Sequence, residues 1–458
     1  MKKIIVLGAG QVGSAVAENL VAEANDVVVI DRDEKKLREL SARLDLRTVT
    51  GNAGHPSVLI DAGIEDCELL IAVTEIDEVN MIACKIAASL FGVPDRIARI
   101  RANEYLDDKR LSGEELFAIN QVICPEQLLA DQVTGLVNFP EALQVLEFAN
   151  GLVSLVAVHA HAGGMLVGSP ISSLGQHLKT VDARIVAIFR KNAPLAPVGE
   201  TVIESGDEVF FLSRTADMRQ VMQELRKMDR PVKKIMISGG SEIGLRLARS
   251  LEKNYQVKLI EANEDRAKEL AALLENTLVL RGEENKHELL REENISEVDL
   301  FIATNRNNER NIIASLLAKR MGAHRVISVF NQQMYVNLLE GSNIDIVIGV
   351  PDVTIGSILS HVRRADVTRV HSLRRGAAEA LEIVVHGDKT SSKCVGRRVN
   401  EIDWPAGTLL GAIIREEQVL MAHHDVLIEA GDHLILFLSE KKMVSKIERL
   451  LQVSGFLL

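Results

Sequence analysis

The chain has 458 residues, 47% hydrophobic and 26% charged, a composition typical of folded globular domains. At roughly 100–200 residues per domain, this length suggests about three or four domains. The net charge of −11 argues against general nucleic-acid binding, which needs a basic surface to neutralise phosphates. Only 3% of the residues are aromatic and the four cysteines form no C-x-x-C pair, so we expect aliphatic cores, no disulfide framework and a reducing compartment.

The first element is predicted to be a strand, "KKIIVLG", followed at once by a glycine-rich turn and a helix. Its apolar run is shorter than a secretory signal requires, and no run of about 18 apolar residues occurs later in the sequence. We therefore expect no membrane span, and a membrane role would have to pass through a partner.

The turn "GAGQVG" places Gly8, Gly10 and Gly13 at the junction of strand and helix. The first glycine permits a tight turn, the second lets the backbone approach a pyrophosphate, and the third lets helix and strand pack closely. Asp31 ends the second predicted strand, where an acid accepts hydrogen bonds from ribose hydroxyls. The combination predicts an NAD site, while the neighbouring Arg32 keeps NADP as an alternative.

Later strand ends add polar residues, because ligands of doubly wound sheets bind outside the carboxyl ends of the strands. The candidates are Asn52 after the third strand, Thr74 and Glu75 after the fourth, and Arg99 or Arg101 on the fifth. We expect the two arginines to lie on one face of that strand, where either could reach the phosphates. A surface ion pair is the alternative for each.

The whole pattern occurs twice. "KKIIVLGAGQVGSAVAENL" (2–20) matches "KKIMISGGSEIGLRLARSL" (233–251), and "IESGDEVFFL" (203–212) matches "IEAGDHLILFL" (428–438). In each half, β-branched runs first alternate with helical patterns, which implies parallel βαβ units, and short strands with Gly, Pro and Asp turns follow. We predict an α/β fold with two tandem doubly wound Rossmann-like domains, each followed by a small α+β domain.

The repeat also sets the predicted boundaries. The predicted domains are a nucleotide-binding domain at 1–123, a linking helix at 124–142 and a small domain at 143–228, repeated as a nucleotide-binding-like domain at 232–348, a linking helix at 349–367 and a small domain at 368–453.

These motifs carry a family resemblance. The glycine turn, Asp31, "AVTEIDEVN" (72–80) and "RIARIR" (96–101), followed by "SGDEVFFL" in a small strand-rich unit, resemble the RCK (regulator of potassium conductance) or KTN domains. The duplicated arrangement resembles the regulatory subunits of bacterial Trk potassium uptake systems, and the resemblance covers essentially the whole chain.

The resemblance implies a subunit that is not an enzyme. Such a subunit lies on the cytoplasmic face of the bacterial inner membrane, held peripherally by a Trk-type potassium-transporting membrane subunit. It forms a homo-oligomeric ring, expected to be a tetramer, whose conformation NAD(H), and also ATP or ADP, biases. The predicted ligand residues are Gly8, Ala9, Gly10, Gln11, Val12, Gly13, Asp31, Asn52, Thr74, Glu75 and Arg99, with Gly239 and Glu261 in the second copy.

The second glycine turn, "SGGSEIG" (238–244), departs from the pattern, because Ser241 stands in the place of Gly10. Further replacements are Ser328 and Phe330 for Arg99 and Arg101, and Glu283 and Glu284 for Asn52 and Ala53, with Arg281 as a partial offset. Like charges ~4 Å apart repel by about 4 kcal/mol at an effective dielectric of ~20. We therefore expect a fold-preserving remnant or a site for a less charged ligand, rather than a second NAD site.

Two other clusters have alternative interpretations. "VHAHA" would place His159 and His161 on one face of a strand, and His423 adjoins His424, but no further ligand accompanies either pair, so we predict no metal site. Five arginines crowd the second linker and could contact a membrane partner or anionic lipid, or form a solvated face or intersubunit ion pairs; they are Arg363, Arg364, Arg369, Arg374 and Arg375.

The main alternative function is an NAD-dependent oxidoreductase with a duplicated Rossmann domain. An enzyme would need a proton donor and a substrate pocket facing the nicotinamide, and the short strand-rich domains offer no clear signature of either. A third hypothesis is the regulatory module of a potassium efflux system. Such modules are usually attached to membrane spans, which the sequence does not predict.

Overall fold

The computed structural model describes residues 2–108, 110–111, 114–179, 181–191, 193–225, 231–339, 341–362, 366–373, 378–423, 425–440 and 443–453. The chain divides into two compact units, one formed by 1–130 with 235–362 and the other by 131–234 with 363–458. The two kinds of domain alternate along the chain but are grouped by kind in the structure. Both doubly wound sheets belong to the first unit and both antiparallel sheets to the second.

The first Rossmann lobe is a six-stranded parallel sheet of order β3-β2-β1-β4-β5-β6 with flanking helices. Its strands are β1 (Lys3–Leu7), β2 (Asp26–Asp31), β3 (Arg47–Thr50), β4 (Leu69–Ala72), β5 (Asp95–Arg99) and β6 (Gln121–Ile123). Its helices are α1 (Gln11–Ala22), α2 (Glu34–Ser41), α3 (Pro56–Asp61), α4 (Asp77–Phe91), α5 (Asn103–Leu106), α6 (Glu114–Phe117) and α7 (Pro125–Asn138).

Local sequence explains these elements. The inner strands are continuous apolar runs because helices cover both faces of a parallel sheet, and all four residues of β4 are buried. Helix α2 begins where the Asp33 carboxylate accepts hydrogen bonds from the Lys35 and Lys36 amides, and α4 ends at Gly92 in the left-handed conformation.

The first small domain is an antiparallel sheet of order β10-β9-β11-β8-β7. Its elements are β7 (Ala142–Phe148), β8 (Val153–His159), α8 (Leu174–His177), β9 (Ala183–Arg190), β10 (Ala193–Leu195), β11 (Glu208–Arg214) and α9 (Met218–Gln223). His161 lies beyond the end of β8, so the prediction that it shares a strand face with His159 is wrong. Ala162 and Gly163 turn the chain just after it.

The second Rossmann lobe repeats the first, with sheet order β14-β13-β12-β15-β16-β17. Its strands are β12 (Lys234–Ser238), β13 (Gln256–Glu261), β14 (Leu278–Arg281), β15 (Leu300–Ala303), β16 (Arg325–Phe330) and β17 (Ile346–Gly349). Its helices are α10 (Glu242–Leu251), α11 (Glu264–Leu273), α12 (His287–Glu292), α13 (Asn308–Arg320), α14 (Gln333–Leu338) and α15 (Val350–Val362).

The second small domain repeats the other antiparallel sheet, with order β18-β19-β22-β20-β21. Its elements are β18 (Val367–Leu373), β19 (Ala378–Val384), β20 (Thr408–Arg415), β21 (Gln418–Met421), β22 (His433–Leu438) and α16 (Val444–Leu451). Side chains of both small domains, among them Phe148, Phe210, Leu373 and Phe437, belong to one hydrophobic core. The predicted α/β fold, with two doubly wound and two small domains, is confirmed.

A buried ion pair explains why "SGDEV" recurs as "AGDHL". In the first small domain, Arg190 donates two 2.8 Å hydrogen bonds to the Asp207 carboxylate, which is 1% exposed and also accepts the Glu204 amide. Arg415, Asp432 and Glu429 form the same arrangement in the second. A buried carboxylate needs such compensation, so this motif maintains the fold.

Contacts join the two Rossmann lobes within the first unit. Helix α1 of the first lobe packs against α15 of the second, and the Lys2 ammonium donates a 2.7 Å hydrogen bond to the main-chain oxygen of Val362, the last residue of α15. Across the described ranges, no helix combines the length and apolar character that a membrane crossing requires.

Candidate nucleotide-binding site

The three glycines of the first turn have separable roles. Gly8 has φ +104° and its amide donates to the Ile30 oxygen at 2.7 Å, which brings the turn against β2. A methyl group on Gly13 would lie 1.8 Å from the Gly8 oxygen, so this position must be glycine for the helix to start here. A methyl group on Gly10 would meet no atom within 4 Å. Gly10 therefore leaves the turn open on the side from which a phosphate approaches.

Asp31 holds the turn to the second strand. Its two carboxylate oxygens accept hydrogen bonds from the Ala9 amide at 2.5 Å and the Asp33 amide at 2.8 Å. A carboxylate has about four acceptor positions, so two remain for ribose hydroxyls. Helix α1 has no acidic residue in its first turn and no side-chain hydrogen bond at its Gly10 N-cap, which leaves amide donors for an anion.

Gln11 and Val12 form the first turn of α1, with Gln11 exposed and Val12 buried in the packing of helix on sheet. Asn52, after β3, is engaged within its own loop, where its side chain accepts the Gly54 amide at 3.1 Å and contacts the His55 ring. The structure thus brings the glycine turn, Asp31 and Asn52 to the carboxyl ends of β1, β2 and β3.

Asn80 organises the far side of the site and was not among the predicted ligand residues. Its side-chain oxygen accepts the Thr74 amide at 3.0 Å and the Thr74 hydroxyl at 2.7 Å. Its amide group donates to the main-chain oxygens of Thr74 and Arg99, and Asn80 is fully buried. One side chain therefore fixes the ends of β4 and β5 next to each other. The repeated asparagine at Asn311 was the sequence signal for this role.

The two candidate arginines are separated by the structure. Arg99 ends β5 and pairs with Glu126 of α7 at 3.2 Å, with both side chains only 14% exposed. Arg101 lies beyond β5, so the expectation that both arginines share a strand face is wrong. Its guanidinium contacts Asp77 at 3.5 Å and donates to the Glu75 oxygen, which ties the segment after β5 to the segment after β4.

The second glycine turn keeps the backbone geometry of the first. Gly239 has φ +102°, and a methyl group on Gly244 would lie 2.1 Å from the Gly239 oxygen. Glu261 accepts the Gly240 amide at 2.8 Å and the Asn263 amide at 2.7 Å, as Asp31 does in the first lobe. The Ser241 hydroxyl donates to the Thr304 oxygen at 2.7 Å and accepts the Gly244 amide, so it caps α10.

The sequence alignment of the fifth strands is wrong by one residue. Asn311 repeats the contacts of Asn80 and donates to the Val329 oxygen at 2.8 Å, where Asn80 donates to Arg99. The counterpart of Arg99 is therefore Val329 rather than Ser328, and that of Arg101 is Asn331 rather than Phe330. A shift of one residue moves every side chain of a strand to the opposite face, and the hydrogen bonds of Asn80 and Asn311 identify the correct register.

A cavity of about 440 Å³ opens at the second turn. It is lined by Gly240, Ser241, Glu261, Asn263, Arg266, Asn305, Arg306, Asn307 and Arg310. The acids expected at its mouth are elsewhere, since Glu284 is buried at 2% exposure and Glu283 pairs with Lys286. The alignment of "AVTEIDEV" with "ATNRNNER" contained the signal for two of the arginines, because it pairs Glu75 with Arg306 and Val79 with Arg310.

The remaining clusters give no shared site. Among the described residues, no group of three His, Cys, Asp or Glu side chains is arranged to hold a metal ion. His423 lies 3.4 Å from Asp182, and Arg369 lies on β18. His424, Arg363, Arg364, Arg374 and Arg375 lie outside the described residues.

The fold and its two glycine turns define a chain built from duplicated TrkA-N and TrkA-C domains. The TrkA-N domain model matches residues 4–125 and 235–350, and the TrkA-C domain model matches 155–226 and 388–452. The Trk system potassium uptake protein TrkA of Halomonas elongata is 51% identical, over 98% of this chain and 99% of that protein. The protein of the same name from Vibrio alginolyticus is 50% identical over the full length of both. The chain belongs to this TrkA family of Trk system potassium uptake proteins.

Solved structures agree on the fold. The GsuK RCK domain superposes with a TM-score of 0.62 at 18% identity and covers 98% of this chain and 95% of that chain. The GsuK channel bound to NAD superposes with a TM-score of 0.61 at 17% identity, covering 98% of this chain and 78% of that chain. The RCK-type architecture suggested by the motifs is confirmed.

Proposed function

We propose that this chain is the regulatory subunit of a Trk-type potassium uptake system and that nucleotide binding to its first Rossmann lobe controls transport. The observation that carries the proposal is the identity of about half of all residues, over the full length, with proteins named for Trk potassium uptake. Such a subunit acts through a potassium-transporting membrane partner, to which it binds peripherally on the cytoplasmic face of the inner membrane.

The proposed ligand of the first turn is NAD(H), with ATP or ADP as competitors for the same amide donors. Support comes from the open face at Gly10, the uncapped N-terminus of α1 and the spare acceptor positions of Asp31. The proposed contacts at the first turn are Gly8, Ala9, Gly10, Gln11, Val12, Gly13, Asp31, Asn52, Thr74, Glu75 and Arg99, and those at the second turn are Gly239 and Glu261.

The ligand acts as a signal, and we do not propose that the chain catalyses a reaction on it. The side chains around the turn are committed to holding the backbone, as Thr74 and Asn80 do at the end of β4. A ligand bound there can shift the subunit between states only by its differential affinity for them, typically ~1–3 kcal/mol.

A homo-oligomeric ring, which we propose to be a tetramer, would cover apolar side chains that the two Rossmann lobes expose. Ile82 on α4 is 45% exposed and Ile313, at the corresponding position of α13, is 53% exposed. Leu90 and Leu316 extend these faces on the same helices. Paired exposed apolar faces suit contact with further copies of the chain.

The proposal can be tested on the purified full-length chain and on native membranes. The chain should bind NADH without consuming it across a panel of hydroxy acids and aldehydes, and Asp31→Ala should weaken binding at least about tenfold because the ribose loses its acceptor. Asp45→Ala is the matched control, since Asp45 lies in the exposed loop after α2. An affinity-tagged chain should retain a Trk-type subunit from membranes. Substrate-coupled oxidation of NADH would overturn the regulatory role.

A further inference from the structure

The cavity at the second turn differs in charge from the first turn. Three arginines and one glutamate line it, Arg266, Arg306, Arg310 and Glu261. In the first lobe the counterparts of these four residues are Lys36, Glu75, Val79 and Asp31, and Asp33 stands in the place of the lining residue Asn263. The two turns share their backbone geometry, so their surroundings favour ligands of different charge.

The three arginines are not equivalent. Arg266 is held by Glu242 and Glu269, both at 2.8 Å, and donates to the Gly240 oxygen at 2.9 Å, so it braces the turn. Arg306, just before the N-cap of α13, and Arg310, in its first turn, are both exposed, and no carboxylate among the described residues pairs with either. Their guanidinium groups are the ones available to an incoming anion.

The N-termini of two helices add to the positive charge around this cavity. Asn307, which lines the cavity, is the N-cap of α13, and Ser241, which also lines it, is the N-cap of α10. The N-termini of a 10-residue helix and a 13-residue helix therefore border one cavity, and each carries partial positive charge, which the first-turn acids Glu242 and Glu309 offset in part. The Glu261 carboxylate, which accepts the Gly240 amide, supplies a negative charge next to the turn, where it can accept a ribose hydroxyl as Asp31 can.

We propose that the second turn is a separate site for an adenosine di- or triphosphate, and that Arg306 and Arg310 select the free terminal phosphate. A terminal phosphate carries more negative charge than the bridging pyrophosphate of a dinucleotide, and arginine binds it through two parallel hydrogen bonds. A volume of about 440 Å³ is within the range of small-molecule sites. This inference rests on the proposal that nucleotides are the ligands of the chain.

The test is titration calorimetry of the full-length chain with ATP, ADP and NADH in an Asp31→Ala background, which disables the first turn. NADH binding should be lost, while ATP should still bind at one site per chain. Arg306→Glu and Arg310→Val install the residues of the first lobe at both positions. Each should weaken ATP about tenfold, and both together about 100-fold, because a charge-assisted contact is lost each time.

Controls separate the second site from general charge effects. Arg320→Glu makes the same charge change at the exposed end of the same helix and should leave ATP affinity unchanged. Inorganic tripolyphosphate should compete with ATP, which shows that phosphate is the recognised group. Two results would overturn the inference. One is unchanged ATP affinity in the double variant Arg306→Glu with Arg310→Val. The other is NADH binding at the second turn as tightly as ATP.

The first and second sites fail separately in this design. If Asp31→Ala leaves NADH affinity intact, the proposed ligand site of the first turn is wrong. The arginine variants still test the second turn when Asp31 is left unaltered. In that chain they should reduce the number of ATP molecules bound by one per chain.

Discussion

The guanidinium of Arg246 donates a hydrogen bond to the main-chain oxygen of Arg101 at 3.0 Å. Arg246 lies on α10, the helix that follows the second glycine turn, and it also donates to Gln127 at 2.9 Å and to the Asn103 side chain. Arg101 in turn donates its amide to Asp77 and its side chain to the Glu75 oxygen. One arginine thus joins the helix of the second turn to the loops that border the first.

Arg246→Gln is expected to weaken this junction. It removes charge-assisted hydrogen bonds worth about 1.5–3 kcal/mol each and leaves the Asn103 and Gln127 side chains without their donor. We expect Arg246→Gln to have a lower thermal midpoint. In the unaltered chain we expect NADH bound at the first turn to protect amides 239–244 from hydrogen exchange, and in Arg246→Gln we expect this protection to be lost. Exchange mass spectrometry with and without NADH measures the second effect.

Arg249→Gln is the matched control for Arg246→Gln, because Arg249 is exposed on the same helix. It should change neither the melting behaviour nor the exchange pattern. Equal protection of residues 239–244 in Arg246→Gln and the unaltered chain would show that the arginine contributes stability without coupling the two turns.

The glycines of the first turn predict opposite phenotypes for the same substitution. Gly10→Ala adds a methyl group that meets no atom within 4 Å, at a φ of −70° that alanine adopts freely, so the fold should be unaffected. A bound pyrophosphate would meet that methyl group, and NADH affinity should fall at least about tenfold. Calorimetry and thermal melting on the same preparation check both statements.

Gly13→Ala should instead fail at folding. Its methyl group would lie 1.8 Å from the Gly8 oxygen, and the backbone cannot yield without moving α1 away from the sheet. Overpacking of this kind costs about 1–3 kcal/mol or more, so the thermal midpoint should drop clearly. A Gly13→Ala chain that melts normally would contradict the close packing of Gly13 against Gly8.

The sequence predicted the fold well because its signals are local and occur twice. Glycine turns, apolar runs and the "GD" motif each have a local physical cause, and the repeat checks every assignment against a second copy. The sorting of like domains into two units depends on long-range packing and left no local signal. The misplacement of Arg101 and His161 has the same origin, because strand ends are set by neighbouring strands rather than by the residues themselves.

The candidate site was predicted in part. The residues of the turn and the acid came from sequence, since their spacing follows from the phosphate and ribose geometry. Arg306 and Arg310 were missed because cations for the second turn were sought only on the fifth strand. There the true counterparts of Arg99 and Arg101 are Val329 and Asn331. The partner of Arg99 was missed too, because Glu126 is distant in sequence and meets it only through tertiary packing.

The ion pair of Arg99 and Glu126 yields a test of the role of Arg99. If Arg99 turns to a phosphate when ligand binds, it must leave Glu126, so Glu126→Gln should tighten NADH binding and Arg99→Ala should weaken it, each by about threefold to tenfold. Both variants should lower thermal stability, because each leaves a largely buried partner unpaired. Calorimetry separates the two effects.

Unchanged NADH affinity in both variants would contradict a ligand role for Arg99. If Arg99→Ala and Glu126→Gln both leave NADH affinity unchanged while lowering the thermal midpoint, Arg99 serves only to hold α7 against β5. Arg38→Ala is the control, since Arg38 pairs with Glu34 on the surface of α2 and an exposed pair contributes little.

His371 predicts a loss of stability in acid. The pKa of His371 is lowered to about 4, chiefly by burial and to a smaller extent by the positive charge of Arg369, against the raising effects of the Glu147 oxygen and the Glu382 carboxylate. Its ring meets Phe148 edge to face, with centroids 5.0 Å apart, inside the second unit. The unfolded chain would protonate this ring near pH 6.5, and the folded chain only near pH 4.

Between these values the unfolded state binds more protons than the folded state, so stability falls as the pH falls from 6.5 towards 4 and the loss is complete below both. The two pKa values set this contribution at no more than about 3 kcal/mol. His371→Gln, which cannot titrate in this range, should therefore lose less thermal stability than the unaltered chain between about pH 7 and about pH 5. His287→Gln is the control, because His287 is an exposed histidine at the start of α12. Identical pH dependence in the His371→Gln chain and the unaltered chain would mean that His371 stays accessible to protons in the folded state.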